Sequence, residues 1–147
     1  HKLSLEFMSG TTQTTILIID DDESLRNLLQ IILEATDIQT IRAANAKEAL
    51  AALHDQNNSI QGVLLDLNLN QLKGEDLYDE IMAIDPNIAI FPMSGILKEE
   101  IEERFEGKAI AGLITKPFLP ASLMETITEG LTRKPNKNSP KSFKRSP

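Results

Sequence analysis

The sequence predicts an α/β fold, a five-stranded parallel sheet covered by helices on both faces, and three observations carry that prediction. Five short apolar runs alternate with five amphipathic helical patterns. The runs are continuous enough to be strands buried on both faces. The chain has 147 residues, the size of one domain with a real core, and shows no internal repeat.

Thr15–Ile19 (TILII) is the first strand and stops at Asp20, Asp21 and Asp22. Leu25, Leu28, Leu29 and Ile32 follow with the i, i+3, i+4, i+7 spacing of a helix. Ile38–Ala43 is a second, weaker strand, and Asn45 is the N-cap of a helix whose apolar face is Ala46, Ala49, Leu50 and Leu53. Gly62–Leu65 is the third strand and ends on Asp66. After a loop ending at Gly74, the residues Leu77, Ile81 and Ile84 mark a third helix that must stop before Pro86. Ile88–Met93 is the fourth strand, in which Pro92 removes a ladder donor and predicts a bulge or a local break. Leu97, Ile101 and Phe105 mark a fourth helix, with Glu99, Glu100, Glu102, Glu103 and Glu106 on its wet face. Gly112–Thr115 is the fifth strand, and Leu123, Ile127 and Leu131 define the last helix.

Composition excludes several kinds of chemistry. There is no cysteine, hence no disulfide framework, thiolate metal site or cysteine nucleophile. The two histidines are His1 and His54, too few for a histidine-rich metal site, and His54 reads as a solvated helix residue. No apolar run is long enough to span a bilayer and no secretory signal is visible, so a cytoplasmic location without membrane contact is expected. Net charge is −7, but residues 132–147 hold six basic residues and no acidic one, which leaves −13 on residues 1–131. So acidic a body is not expected to bind nucleic acid directly. The tail at 133–147 reads as a disordered basic linker. His1–Phe7 reads as a vector remnant and Ser9–Thr14 as a disordered lead-in, which puts the folded domain at 15–132.

In a parallel sheet, ligands gather at the carboxyl ends of the strands. Those ends carry Asp20, Asp21 and Asp22, then Asp66, Ser94 and Lys116. Crowded carboxylates repel one another, and a cation among them relieves the repulsion. An all-oxygen set suits magnesium, which keeps waters and leaves a position for a phosphate oxygen. Ser94 offers a hydroxyl and Lys116 a point charge to a phosphoryl group there, and a carboxylate facing that site can accept the phosphoryl group as an acyl phosphate. Taken singly, Asp66 reads as well as a capping aspartate, Ser94 as a turn serine and Lys116 as a surface lysine; together they point to one site.

The stretches ILIIDDDESLRNLL, GVLLDLNL…KG, MSG and TKPF occur in that order, with Asp66 and Ser94 28 positions apart and Ser94 and Lys116 22 apart. In these motifs residues 15–132 resemble the receiver domain of two-component response regulators, of the chemotaxis-regulator type. The resemblance implies a flavodoxin-like (βα)5 three-layer sandwich with strand order 2-1-3-4-5. It makes Asp66 the phosphoacceptor, Asp21 a direct Mg2+ ligand and Asp20 a ligand mostly through water. Asp66 and the backbone carbonyl of Asn68 complete the metal set. Ser94 would move to the phosphate, and Lys116, before Pro117, would pair with Asp66. The register within the triple aspartate is open by one position; Asp20 and Asp21 are favoured because Ile19 is the last apolar residue, leaving Asp22 to start the helix. Asn68 and Ile96 would flank the acceptor.

Three departures from the family pattern stand out, one of them Pro92 within the fourth strand. Asn70 replaces a proline, and Leu113 replaces the aromatic switch residue three positions before Lys116. The expected function is a signalling module, not an enzyme beyond its own phosphorylation and dephosphorylation. Its partners would be a sensor histidine kinase or phosphotransfer domain and a downstream effector, with homodimerisation on activation. Stand-alone regulator and receiver excised from a hybrid kinase or multidomain regulator are both open, the frayed tail favouring excision. The rival reading is a haloacid-dehalogenase-like Mg2+-dependent phosphatase with Asp20 as nucleophile. It needs acidic ligands late in the chain, and no aspartate follows Asp85.

Overall fold

The computed structural model describes residues 13–69 and 73–133. Strands and helices alternate as β1 (Thr15–Ile19), α1 (Glu23–Glu34), β2 (Gln39–Ala43), α2 (Ala46–His54), β3 (Gly62–Asp66), α3 (Gly74–Ile84), β4 (Ala89–Ser94), α4 (Lys98–Arg104), β5 (Ile114–Thr115) and α5 (Pro120–Thr132). The five strands form one sheet in the order β2-β1-β3-β4-β5, every pairing parallel. This is the flavodoxin-like order that the resemblance implies.

Alternate residues of each strand serve opposite faces. Ile16, Ile18, Leu64, Phe91 and Met93 pack with Leu29 and Leu33 of α1 and Leu123 and Ile127 of α5. Leu17, Ile19, Val63, Leu65 and Ile90 pack with Ala49 of α2, with Leu77, Tyr78 and Ile81 of α3, and with Ile101 of α4 and the adjoining Phe105. Strand residues buried on both faces explain the unbroken apolar runs. Asn45 caps α2 by accepting from the Glu48 amide at 2.8 Å, and Glu48 Oε1 in turn accepts from Ala44 N at 2.8 Å. Among the described residues no helix is long and apolar enough to cross a membrane.

Several expectations need correction. The buried stripe of α1 runs through Leu25, Leu29, Ile32 and Leu33, so Leu28 falls off it and is 46% exposed. Leu97 is not on the apolar face of α4; it is the N-cap residue and is 72% exposed. Pro92 causes no bulge, because β4 pairs with β3 without interruption from Gly62↔Ala89 to Asp66↔Met93. Ala89 N and Met93 O bond on the β3 side, whereas Ile90 O and Ser94 O bond to Ala111 N and Lys116 N on the β5 side. By alternation, Pro92 turns its nitrogen towards β5. The lost donor therefore weakens that ladder, and β5 pairs with β4 only at Ile114 and Thr115 rather than over the four residues expected.

Of the lead-in, Gln13 and Thr14 are described. Thr14 O accepts from Gln39 N and Gln13 Nε2 donates to Asp37 O, both at 2.8 Å. The remainder of the lead-in, Asn70 and the tail from residue 134 lie outside the described residues.

Candidate functional site

The parallel register assembles the site. Ile19 pairs with Leu65, so Asp20 and Asp66 leave the sheet side by side; Asp66 pairs with Met93, and Ser94 pairs with Thr115 just before Lys116. Carboxylate oxygens of Asp20, Asp21 and Asp66 lie within 4.8 Å of one another. Asp20 and Asp66 are buried at 1% and 2% exposure, and Ser94 is fully buried. Residues separated by as many as 96 positions are thus brought into contact at the carboxyl edge of the sheet.

Lys116 Nζ reaches Asp20 Oδ2 at 3.3 Å and Asp66 Oδ1 at 3.4 Å. Its peptide bond to Pro117 is cis. Asp66 Oδ1 also accepts from Asn68 N at 3.0 Å, so the turn after β3 folds back onto its own aspartate. No bond to Asp66 Oδ2 is made among the described residues. Ser94 Oγ accepts from Ile96 N at 3.1 Å, which leaves its proton free to donate.

The electrostatics are unbalanced. Three carboxylates face one ammonium, and two of the carboxylates are almost without water. Burial pushes the Asp20 carboxyl above its ordinary value and the neighbouring Asp66 charge pushes the same way; the Asp22 amide and Lys116 oppose the rise. Buried charge of this kind is stable when countered by a cation. The donor set is all oxygen and partly open at Asp21, which fits a hard divalent ion such as Mg2+ better than a soft one.

Asp20, Asp21, Asp66 and Lys116 meet here, with Asn68 contributing through its backbone, and the register brings Ser94 to the same edge of the sheet beside Thr115. Asp22 instead caps α1, its Oδ1 accepting from Ser24 N at 3.0 Å and Leu25 N at 3.3 Å. Leu113 is half-buried against the α2, α3 and α4 face. Two further residues matter to the site. Arg26 Nη1 donates to Asp20 O at 2.7 Å, a contact that sequence reading did not single out. Gly74 opens α3 against the residue after Asp66: a Cβ there would lie 2.4 Å from Leu67 Cδ2 and 3.0 Å from Leu67 Cα. The only trace of the first was a basic residue one turn into the helix after the aspartates; the second showed as a glycine closing the loop.

Comparison with known proteins agrees with this architecture. Residues 16–128 match the family model described as the response regulator receiver domain. The chain is 31% identical over 117 residues to the chemotaxis protein CheY of Halobacterium salinarum, covering 80% of this chain and 96% of that one. It is 26% identical over 133 residues to the autoinducer 1 sensor kinase/phosphatase LuxN of Vibrio campbellii, covering 90% of this chain but 15% of that much longer protein. Among solved structures, a CheY-like receiver domain protein from Methanospirillum hungatei superposes with a TM-score of 0.75 at 27% identity, over 82% of this chain and 94% of that one. A family match spanning most of the sheet, together with the order of its strands, establishes that the chain belongs to the response regulator receiver domains of two-component signal transduction.

Proposed function

We propose that residues 15–132 act as a phosphorylatable switch, with Asp66 accepting a phosphoryl group from a phosphohistidine of a sensor kinase or phosphotransfer domain. The observation that carries this reading is the state of Asp66. It is buried, with Oδ1 held by Asn68 N and Lys116 Nζ and Oδ2 unengaged among the described residues. Oδ2 forms the new bond to phosphorus as the bond from phosphorus to the donor imidazole nitrogen breaks, and the imidazole leaves with a proton from solvent. Asp20, Asp21, Asp66 and the Asn68 carbonyl would hold Mg2+, which supplies charge neutralisation for the carboxylates and the phosphoryl oxygens.

The protein's own groups do the rest. Lys116 follows the negative charge as it moves from the carboxylate onto the phosphoryl oxygens. Ser94 turns its free proton to a phosphoryl oxygen, drawing the start of the β4–α4 connection inward. That displacement biases a pre-existing equilibrium of the last two strand–helix units, changing which effector, or second copy of the domain, the α4–β5–α5 side binds. Leu113 in place of an aromatic residue makes this coupling depend on aliphatic packing. The match to one segment of a far longer sensor kinase supports a receiver working within a larger assembly as much as a free-standing one.

The phosphatase reading fares worse. Asp20 has both oxygens engaged, Oδ1 by Asp22 N at 2.9 Å and Oδ2 by Lys116, so it is poorly placed as a nucleophile. The test is the intact mass of the chain after incubation with acetyl phosphate and Mg2+. One added phosphoryl group, absent in Asp66→Asn and retained in a control at exposed Asp55, is the expected result; labelling that survives Asp66→Asn would overturn the assignment.

A further inference from the structure

The connection from β1 to α1 is three consecutive aspartates, and Asp20 and Asp22 in it are held by hydrogen bonds. Asp20 N donates to Ala43 O at 3.1 Å, and Asp22 N donates to Asp20 Oδ1 at 2.9 Å. Asp22 Oδ1 caps the helix, and Arg26 N closes its first turn onto Asp22 O at 3.0 Å. The Asp21 carboxylate is different. Among the described residues it accepts no hydrogen bond and makes no ion pair, so its aim depends on its backbone. That backbone begins with the peptide unit joining Asp20 to Asp21, and Arg26 Nη1 donates to the carbonyl of this unit at 2.7 Å. A peptide unit is planar, so fixing its carbonyl also fixes the Asp21 N–Cα bond and the sector its side chain can reach.

We propose that Arg26 is a positioning residue for the divalent-cation site: by anchoring the Asp20–Asp21 peptide it keeps the Asp21 carboxylate in the cluster with Asp20 and Asp66. The inference rests on the Mg2+ reading of that cluster. Asp20 and Asp66 are fixed by burial and by their own hydrogen bonds. Asp21, next to water and repelled by two carboxylates, would otherwise swing outward. Arg26 need not touch the ion, because it acts on a ligand through the main chain as outer partners of metal ligands do. A guanidinium suits this role, since it stays charged and keeps a planar donor fork on a long stem that can cross back over the helix start.

The test uses the full chain and measures Mg2+ binding by calorimetry with no phosphoryl donor present, alongside thermal unfolding in EDTA. Arg26→Met keeps the aliphatic stem and removes the donors. It should weaken Mg2+ binding about tenfold, at the lower end of what losing an outer partner of a metal ligand costs. Arg26→Gln, too short to reach, should do the same and serves if the methionine variant does not fold. Arg26→Lys should recover part of the affinity. With acetyl phosphate, the Mg2+ concentration for half-maximal labelling should rise in step, while the rate at saturating Mg2+ stays within about twofold of the original, a split that a general loss of fold would not produce. Mg2+ affinity within about twofold of the original in the methionine and glutamine variants overturns the role of Arg26. Absence of Mg2+ binding by the unaltered chain would instead overturn the reading of the cluster itself.

Discussion

Gly74 sets how closely the start of α3 approaches Leu67, the residue after Asp66, and Tyr78, one turn further on, ties the same helix to Ala109. Helix propensity alone would favour alanine over glycine at position 74 by up to about 1 kcal/mol. The added Cβ, however, meets Leu67 Cα at 3.0 Å, a backbone atom that cannot rotate away, and overpacking costs about 1–3 kcal/mol. The steric term should win, so Gly74→Ala is expected to lower the urea midpoint and, by pushing on Leu67, to slow labelling of Asp66. An unchanged or raised midpoint would show that the α3 start yields freely. Tyr78 donates to Ala109 O at 2.6 Å and packs edge-on against Phe105 with ring centroids 5.5 Å apart. Burial pushes its phenol up to about 12, the bond to Ala109 and the nearby Asp79 charge being smaller influences. Because the unfolded chain would ionise near 10, this tyrosine's contribution to stability is complete below pH 10 and is lost as pH rises through about 12. It is the only tyrosine in the chain and there is no tryptophan, so ultraviolet absorbance reads it directly. Tyrosinate should appear near pH 12 or together with unfolding; a midpoint near 10 in the folded protein would contradict the packing described.

Between elements, α3 and α4 are joined by a two-pronged ion pair that no spacing in the sequence announces. Arg104 Nε and Nη2 donate to Glu75 Oε2 and Oε1 at 2.8 and 2.6 Å, with side chains 27% and 21% exposed. The bonds from Arg104 hold the Glu75 carboxyl below its ordinary value, against the opposing effect of burial. A depressed folded-state value means the pair stabilises above about pH 4.5 and loses that contribution as pH falls through the lowered value. Glu75→Gln should therefore cost about 1 kcal/mol at neutral pH and progressively less as the pH falls through the lowered value, narrowing the difference between the two unfolding curves in acid. A penalty that stays constant all the way down the acid range would mean the loss is packing, not charge. The same helix shows what the sequence could and could not disclose. Ile101 and Phe105 were legible as core because helical spacing repeats locally. Leu97 was not, since the first apolar residue of a short pattern fits the N-cap as well as the first turn. Pro92 was legible as a lost donor, but which neighbour loses the bond depends on strand alternation relative to β3 and β5, known only once the sheet is assembled.

For the molecule as a whole, the parallel sheet and the chemistry were readable together because each chemical group sits where an apolar run ends, while the order of the strands was implied by the family resemblance. A parallel sheet then gathers those ends on one edge without any need for side-chain detail. Asp20, Asp66, Ser94 and Lys116 follow from that rule, whereas Arg26 requires knowing how far a side chain reaches back across a helix start. The same gathering leaves the native state with mutually repelling carboxylates and one lysine, so folding and cation binding must be linked. A ligand bound only by the folded state stabilises it by RT ln(1 + [L]/Kd), about 1.4 kcal/mol at ten times Kd. For a domain of this size that corresponds to a rise of roughly 5 °C in Tm. Mg2+ should produce such a rise and EDTA should reverse it. Asp21→Asn should have opposite effects in the two media. In EDTA it relieves repulsion and raises Tm, while with Mg2+ it removes a ligand and abolishes most of the increment. An Asp21→Asn protein that is less stable than the original in EDTA yet still gains the full increment from Mg2+ would mean that Asp21 serves the fold and that the ion is held elsewhere.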